Sequence, residues 1–153
     1  MQRDDAIRLR AARAEDVPRL REIAIAAKGH WGYDLERVRA WGAEITIGSE
    51  EGGKEILVAE IEGSIAGWAS VEPRGEAWWL EDLWVDPARM GAGLGSRLFQ
   101  DAVDRARSAG AARLEWEAEP NALGFYTRMG ARYLRDSDPT EWGRVIPIMG
   151  VDL

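Results

Sequence analysis

The chain has 153 residues, no cysteine, one histidine (His30) and a formal net charge of −7, and its length fits a single domain over residues 1–153. These counts exclude a disulfide scaffold, a thiolate metal site and a cysteine nucleophile, and they leave no histidine cage, so no metal is expected. The charge argues against nucleic acid as a partner, no apolar run nears the ~20 residues that span a bilayer, and the charged start Met1-Gln2-Arg3-Asp4-Asp5 lacks a signal peptide's apolar core, so a cytoplasmic protein with no membrane partner is expected.

Ile7 and Leu9 alternate with Arg8 and Arg10, which predicts a half-buried strand over 6–12. Asp16-Val17-Pro18 opens a helix, since proline's missing N–H costs nothing in a first turn. Val17, Leu20, Ile23, Ala24 and Ala27 form its apolar stripe, and Gly29 is expected to end it. A second helix is read over 33–43, with Leu35, Val38 and Trp41 on one side. Strands over 54–61 and 64–71 flank Glu62-Gly63, the tight-turn signal of a hairpin. An aromatic-rich strand over 76–85 leads into a glycine-rich turn. Leu94, Leu98, Phe99, Ala102, Val103 and Ala106 then recur at helical spacing over 94–109, and Gly110 supplies the stop. A strand over 112–118 presents Leu114, Trp116 and Ala118 on one face. A short helix over 121–129 ends at Gly130, and strands over 132–135 and 144–151 close the chain. This order predicts a mixed α+β layer on one central sheet, not the regular βαβ alternation of a dinucleotide-binding fold.

The turn Gly91-Ala92-Gly93-Leu94-Gly95-Ser96 joins a strand to the longest apolar-striped helix. Glycine at every second position lets the backbone turn sharply and approach a ligand with no Cβ in the way. The first N–H groups of the helix lack intrahelical partners, and the helix dipole adds roughly half a positive charge there. That arrangement suits a phosphate, with Arg89 and Arg97 flanking it. By itself the string also fits a plain strand-to-helix turn that binds nothing. It is neither a P-loop, since no Lys-Ser/Thr pair follows, nor a GxGxxG fingerprint.

Val85-Asp86-Pro87 followed by Gly91 to Ser96 and Leu98 resembles the acyl-CoA-binding motif of the GNAT-superfamily N-acetyltransferases. Gly93 and Gly95 take its two small positions. Met90 falls where the family has Gln or Arg, and the arginine stands one place earlier, at Arg89. Ile7 to Ala14 with Asp16 resembles the family's first strand and helix start. Asn121-Ala122 with Phe125-Tyr126-Thr127-Arg128-Met129-Gly130-Ala131 resembles its C-terminal motif, so the likeness covers most of the chain. It implies an α+β, three-layer fold: a mixed, mostly antiparallel sheet, helices on both faces and a splayed strand pair that binds the cofactor.

The resemblance further implies acetyl-CoA as acyl-donor cosubstrate and transfer to an amine of a small molecule or peptide. Attack on the thioester would be direct, and the lack of cysteine agrees with that. Two other readings stay open: a catalytically silent acyl-CoA-binding or sensing module, and a protein lysine or N-terminal acetyltransferase. Assembly as a homodimer is also left open. Leu83, Trp84 and Val85 on the strand and Arg89 to Ser96 on the turn (including Ala92 and Leu94) are the implied cofactor contacts, with Phe125 and Asn121. Asn121 either contacts the cofactor or caps the short helix; the family's commoner asparagine lies two places upstream, where this chain has Glu119.

Tyr126 matches the family's general acid. A phenol near pKa 10 returns a proton to a thiolate near 8.5 only when positioned against it. Glu81 is the best candidate base. Trp78, Trp79 and Trp84 around it would raise its pKa by desolvation, whereas a solvated edge position would leave it an ordinary carboxylate. In a regular strand Asp82 would point to the opposite face. The loop His30-Trp31-Gly32-Tyr33 is expected to cover the acceptor, with His30 as base or donor or else simply solvated. Trp142 and Arg144 are further acceptor-side candidates.

Overall fold

The computed structural model describes residues 6–44, 47, 53–140 and 143–153. The strands are β1 (Ile7–Ala11), β2 (Glu55–Ile61), β3 (Ser64–Arg74), β4 (Ala77–Val85), β5 (Arg113–Glu117), β6 (Arg132–Asp136) and β7 (Pro147–Asp152). The helices are α1 (Val17–His30), α2 (Leu35–Glu44), α3 (Leu94–Ser108) and α4 (Leu123–Arg128). One sheet runs β1-β2-β3-β4-β5-β7-β6. Every neighbouring pair is antiparallel except β4 and β5. No helix among the described residues is long and apolar enough to cross a membrane.

Helices cover both faces because each carries a single apolar stripe. Leu94, Leu98, Phe99, Ala102, Val103 and Ala106 of α3 are all buried against one face, with Trp116, Leu114 and Leu80 beneath them. Leu20, Ile23 and Ala24 of α1 pack on the other face against Val58 and Trp68. The Trp68 indole, fully buried, donates to the Leu20 carbonyl at 2.8 Å, so its polar atom is satisfied inside that layer. In α2, Val38 is buried, but Leu35, in the first turn, stays 51% exposed.

Some boundaries differ from the sequence expectation. Helix α1 passes through Gly29 and ends at His30, with Gly32 beyond it at a φ of +87°, the left-handed conformation that follows a helix end. Strand β3 runs on to Arg74, because Glu72, Pro73 and Arg74 pair with Trp79, Trp78 and Ala77 across the next hairpin. Strand β7 begins at Pro147 rather than 144. Before it, Ser137 and Ile146 exchange hydrogen bonds (2.8 and 2.9 Å) that hold the loop away from the ladder.

Asp16 fastens β1 to α1. It is 7% exposed, pairs with Arg10 at 2.7 Å and accepts the Arg13 N–H at 2.7 Å. The Arg10 hydrogen bond holds the Asp16 carboxyl below its usual pKa against the opposing effect of burial. Asp16→Ala is expected to cost about 2 kcal/mol in urea denaturation at pH 7. That lies below the 3–5 typical of a broken buried pair, because Arg10 keeps Glu60 at 3.3 Å. The wild-type advantage is complete above the ~3.9 of an unfolded aspartate and fades as pH falls through the lowered native value.

Two irregularities in β4 shape the site. Ser70 pairs with Asp82 but Val71 with Leu80, so Glu81 is the extra residue of a β-bulge. Then β4 pairs with β5 only over Ala77–Trp79 with Arg113–Glu115, after which the two strands part.

Candidate active site

The bulge changes which side chains share a face. Before it, Trp78 and Leu80 face α3; after it, Leu83 and Val85 do. Trp79, Asp82 and Trp84 therefore lie on the α1 side, and Glu81 joins them: its Oε2 accepts from Trp79 Nε1 at 2.8 Å. Asp82 does not point opposite to Glu81, as a regular strand would require, because the extra residue breaks the alternation. Ser70 Oγ (2.6 Å) and Trp84 Nε1 (3.1 Å) donate to Asp82. Desolvation raises the Asp82 carboxyl in spite of those bonds.

The same alternation orients the backbone. Asp86 N–H donates to Ala66 O at 2.8 Å, so in the antiparallel ladder Trp84 and Asp82 also bond toward β3. Leu83 and Val85 must then turn their N–H and C=O away from β3, into the gap where β5 has departed. On the other side, Ala118 N–H donates to Pro147 O (2.9 Å) and Leu153 N–H to Ala112 O (3.1 Å). By the same parity Glu117 turns its backbone toward the gap.

The gap opens onto the start of α3. Gly91 and Gly93 have φ of +86° and +85°, and nothing lies within 4 Å of where a Cβ would stand at either. Gly93 is the N-cap of α3; no side chain caps the helix, and Arg97 N–H to Gly93 O (3.1 Å) closes its first turn. The N–H groups of Leu94, Gly95 and Ser96 thus have no intrahelical partner. Gly95 serves packing instead: its backbone is ordinary, and a Cβ there would stand 3.5 Å from the Phe125 ring.

Together these features wall a cleft of about 620 Å³. It is lined by Glu81, Leu83, Trp84, Val85, Arg89, Met90, Gly91, Gly93, Leu94, Gly95, Ser96, Asn121, Phe125, Tyr126 and Trp31. Several sequence candidates lie elsewhere. Ala92 packs against the α3-side core. His30 is exposed, with its ring against Trp31. Tyr33 OH donates to Glu119 Oε1 at 2.6 Å, tying the loop after α1 to the loop after β5. Arg97 is not on the cleft wall either. Trp142 lies outside the described residues, and Arg144 stacks on the Tyr33 ring with its Cζ 4.8 Å from the centroid.

Tyr126 forms the wall facing β4. It is 7% exposed, packed on Trp116 (5.0 Å between centroids) and Phe125 (5.2 Å). Its hydroxyl has no hydrogen-bond partner among the described residues and is not one of the occluded polar atoms, so it opens into the cleft. Desolvation, aided by the Glu119 charge, raises its pKa well above the ordinary 10 and keeps it protonated. Asn121 does not cap α4, whose N-cap is Ala122 with no side chain bound to it; Glu119, capping the 3-10 turn Pro120–Ala122 just before, accepts both the Asn121 side-chain amide (2.7 Å) and, weakly, its N–H (3.4 Å).

The tryptophans do not enclose Glu81. Its side chain is 44% exposed and is held by Trp79 and by Arg74 at 3.3 Å, because the bulge swings it outward past its tryptophan neighbours. Among the wall residues that sequence reasoning missed are Trp116, Glu117 and Glu119. Only the parity of β5, with Leu114 and Trp116 inward, hinted that Glu117 faces the other side. That side holds a second, polar cavity of about 1050 Å³, which meets the cleft at Glu81 and Glu117.

Comparison with known proteins agrees with this geometry. The structure is similar to a GCN5-related N-acetyltransferase from Rhodopseudomonas palustris, with a TM-score of 0.77 and 22% identity over 95% of each chain. It is similar too to the PaiA N-acetyltransferase from Thermoplasma acidophilum in complex with coenzyme A, with a TM-score of 0.77 and 16% identity over 96% of this chain and 99% of that one. In sequence, 53 residues are 38% identical to glucosamine 6-phosphate N-acetyltransferase from Trypanosoma brucei brucei; the match spans 35% of this chain and 36% of that relative. The Acetyltransferase (GNAT) family profile matches residues 17–131, from α1 through the segment after α4. With that span matched and the sheet, splay and helix start in place, the chain belongs to the GNAT acetyltransferase family, whose acyl donor is acetyl-CoA.

Proposed function

We propose that this protein transfers the acetyl group of acetyl-CoA to an amine of a small molecule or peptide, by direct attack on the thioester. The observation that carries this reading is a continuous track. Outward backbone groups of Leu83 and Val85 line the gap, which leads to the uncapped start of α3, and the open phenol of Tyr126 stands on the facing wall. The amides of Leu94, Gly95 and Ser96, in the open space around Gly91 and Gly93, hold a pyrophosphate, with Arg89 at the rim. Met90, 40% exposed, adds no charge, so backbone amides carry that contact. Leu83 and Val85 align the pantetheine arm and supply donors to the oxyanion, where one donor is worth about 100-fold or more in rate.

The thioester supplies the electrophile when acetyl-CoA is bound. Tyr126 donates a proton to the departing sulfur. Glu81, at the rim, draws the acceptor's ammonium toward the gap. The name of the trypanosomal relative, which specifies an N-acetyltransferase acting on an amino sugar phosphate, supports an amine as acceptor.

Thiol release from acetyl-CoA, measured over a panel of glucosamine, spermidine, lysine ethyl ester and a short peptide with a free N-terminus, tests the reading. Release that depends on one of these amines is expected. A protein stabilised by acetyl-CoA that releases no thiol with any of them would instead be a binding module.

A further inference from the structure

Two carboxylates stand where the cleft meets the second cavity, Glu81 on β4 and Glu117 on β5. Their surroundings differ. Glu81 accepts hydrogen bonds from Trp79 and Arg74, which tie its carboxylate to those side chains. Glu117 has no hydrogen bond or ion pair among the described residues. It is the last residue of β5, two places beyond the last pairing with β4, so it borders the gap itself.

On the acetyl-transfer reading above, we propose that Glu117 takes the proton from the acceptor amine, and that this acceptor is a hydrophilic amine entering through the second cavity. The cavity wall suits such a molecule. It presents the carboxylates of Glu76, Asp136 and Asp138, which draw a cationic amine, beside the indoles of Trp41 and Trp79, whose faces Lys28 Nζ (4.2 Å) and Arg74 Cζ (4.5 Å) already cover. The charges that act on Glu117 come from Glu81 of β4, Arg74 of β3 and Lys28 of α1. Arg113 of β5 and Arg135 of β6 also reach this cavity, but both are bound to Glu115 (3.1 and 2.8 Å). Glu117 is exposed at the strand end, yet partial desolvation where the two cavities meet raises its carboxyl, the Glu81 charge raises it further, and Arg74 and Lys28 act in the opposite direction.

The step balances as follows in bonds and protons. Glu117 takes one proton from the ammonium and passes it to solvent. The freed nitrogen lone pair forms the C–N bond to the carbonyl carbon. The C–S electron pair leaves on sulfur, which takes the Tyr126 proton. The second nitrogen proton, shed as the amide forms, restores Tyr126. One ammonium and one thioester give one amide, one thiol and one proton.

The test is the pH profile of thiol release for Glu117→Gln, with the panel amine that the wild type acetylates best. The expected result is a fall of about 100-fold in kcat/KM at pH 7, within the range of general-base effects. The acidic limb should move up toward the amine's own pKa, and Glu117→Asp should recover part of the rate. Glu81→Gln should move the wild-type limb to lower pH, since it removes the charge that raises Glu117. The thermal shift with acetyl-CoA should persist in Glu117→Gln. A Glu117→Gln enzyme with wild-type kcat and an unmoved acidic limb overturns the assignment while leaving acetyl transfer intact. A wild type that binds acetyl-CoA yet acetylates no panel amine overturns the transferase reading and this one with it.

Discussion

Gly93→Glu is expected to abolish the thermal stabilisation of the protein by acetyl-CoA. In the wild type, ligand at 100 times its Kd adds about 2.7 kcal/mol, which for a domain of this size is roughly 5–10 °C in Tm. Gly93 holds φ at +85° as the N-cap of α3, and the space its missing Cβ leaves is open. A glutamate there places a side chain and a negative charge at the amides proposed to hold the pyrophosphate. It also imposes about 1–2 kcal/mol of left-handed backbone strain, so the unliganded variant melts lower than the wild type. The decisive quantity is therefore the shift each protein shows on adding acetyl-CoA, not its own Tm. Gly93→Asn separates the two effects, because asparagine tolerates the left-handed conformation and carries no charge. It should keep much of the shift. A full wild-type shift in Gly93→Glu would place the phosphate contact somewhere other than the start of α3.

Tyr126→Phe is expected to bind acetyl-CoA like the wild type and to lose about 100-fold or more in kcat. The substitution removes one oxygen and keeps the ring, so the packing on Phe99, Trp116 and Phe125 persists. Because that oxygen has no hydrogen-bond partner among the described residues, global stability should change little. A raised pKa makes the phenol a weak acid in bulk water, but the cleft that desolvates it also desolvates the departing thiolate and raises the sulfur's proton affinity. What matters is the difference between the two, and burial moves both in the same direction. Steady-state kinetics with a fixed amine checks the prediction. An unchanged kcat would remove Tyr126 as the acid and leave solvent as the proton source.

The pattern of single residues was enough to find most elements, and the family resemblance picked out much of the cleft wall. The six apolar positions of α3 repeat at helical spacing and all six are buried. Leu83 and Val85, assigned to the pantetheine through the family resemblance, do turn their backbones into the gap. The glycine turn and the Tyr126 segment, far apart in the chain, wall one cleft. Local features were legible because periodicity, turn chemistry and helix termini are properties of neighbouring residues.

The placement of the carboxylates on β4 and β5 was decided elsewhere. A bulge is a mismatch between two strands, so nothing in 77–85 alone shows that Glu81 is the extra residue opposite β3. That one residue places Glu81 and Asp82 on the same side and leaves Glu81 in solvent, where period-2 alternation would have separated them. Desolvation is likewise set by what surrounds a group rather than by its neighbours in sequence, and it raises Asp82 most plainly, with a partial effect on Glu117. By itself, then, the sequence determined the elements, their apolar faces and a phosphate-sized cradle at a helix start. Only the pairing of β4 with β3, and its parting from β5, decided which carboxylate borders the gap, since strand register and burial depend on contacts between distant parts of the chain.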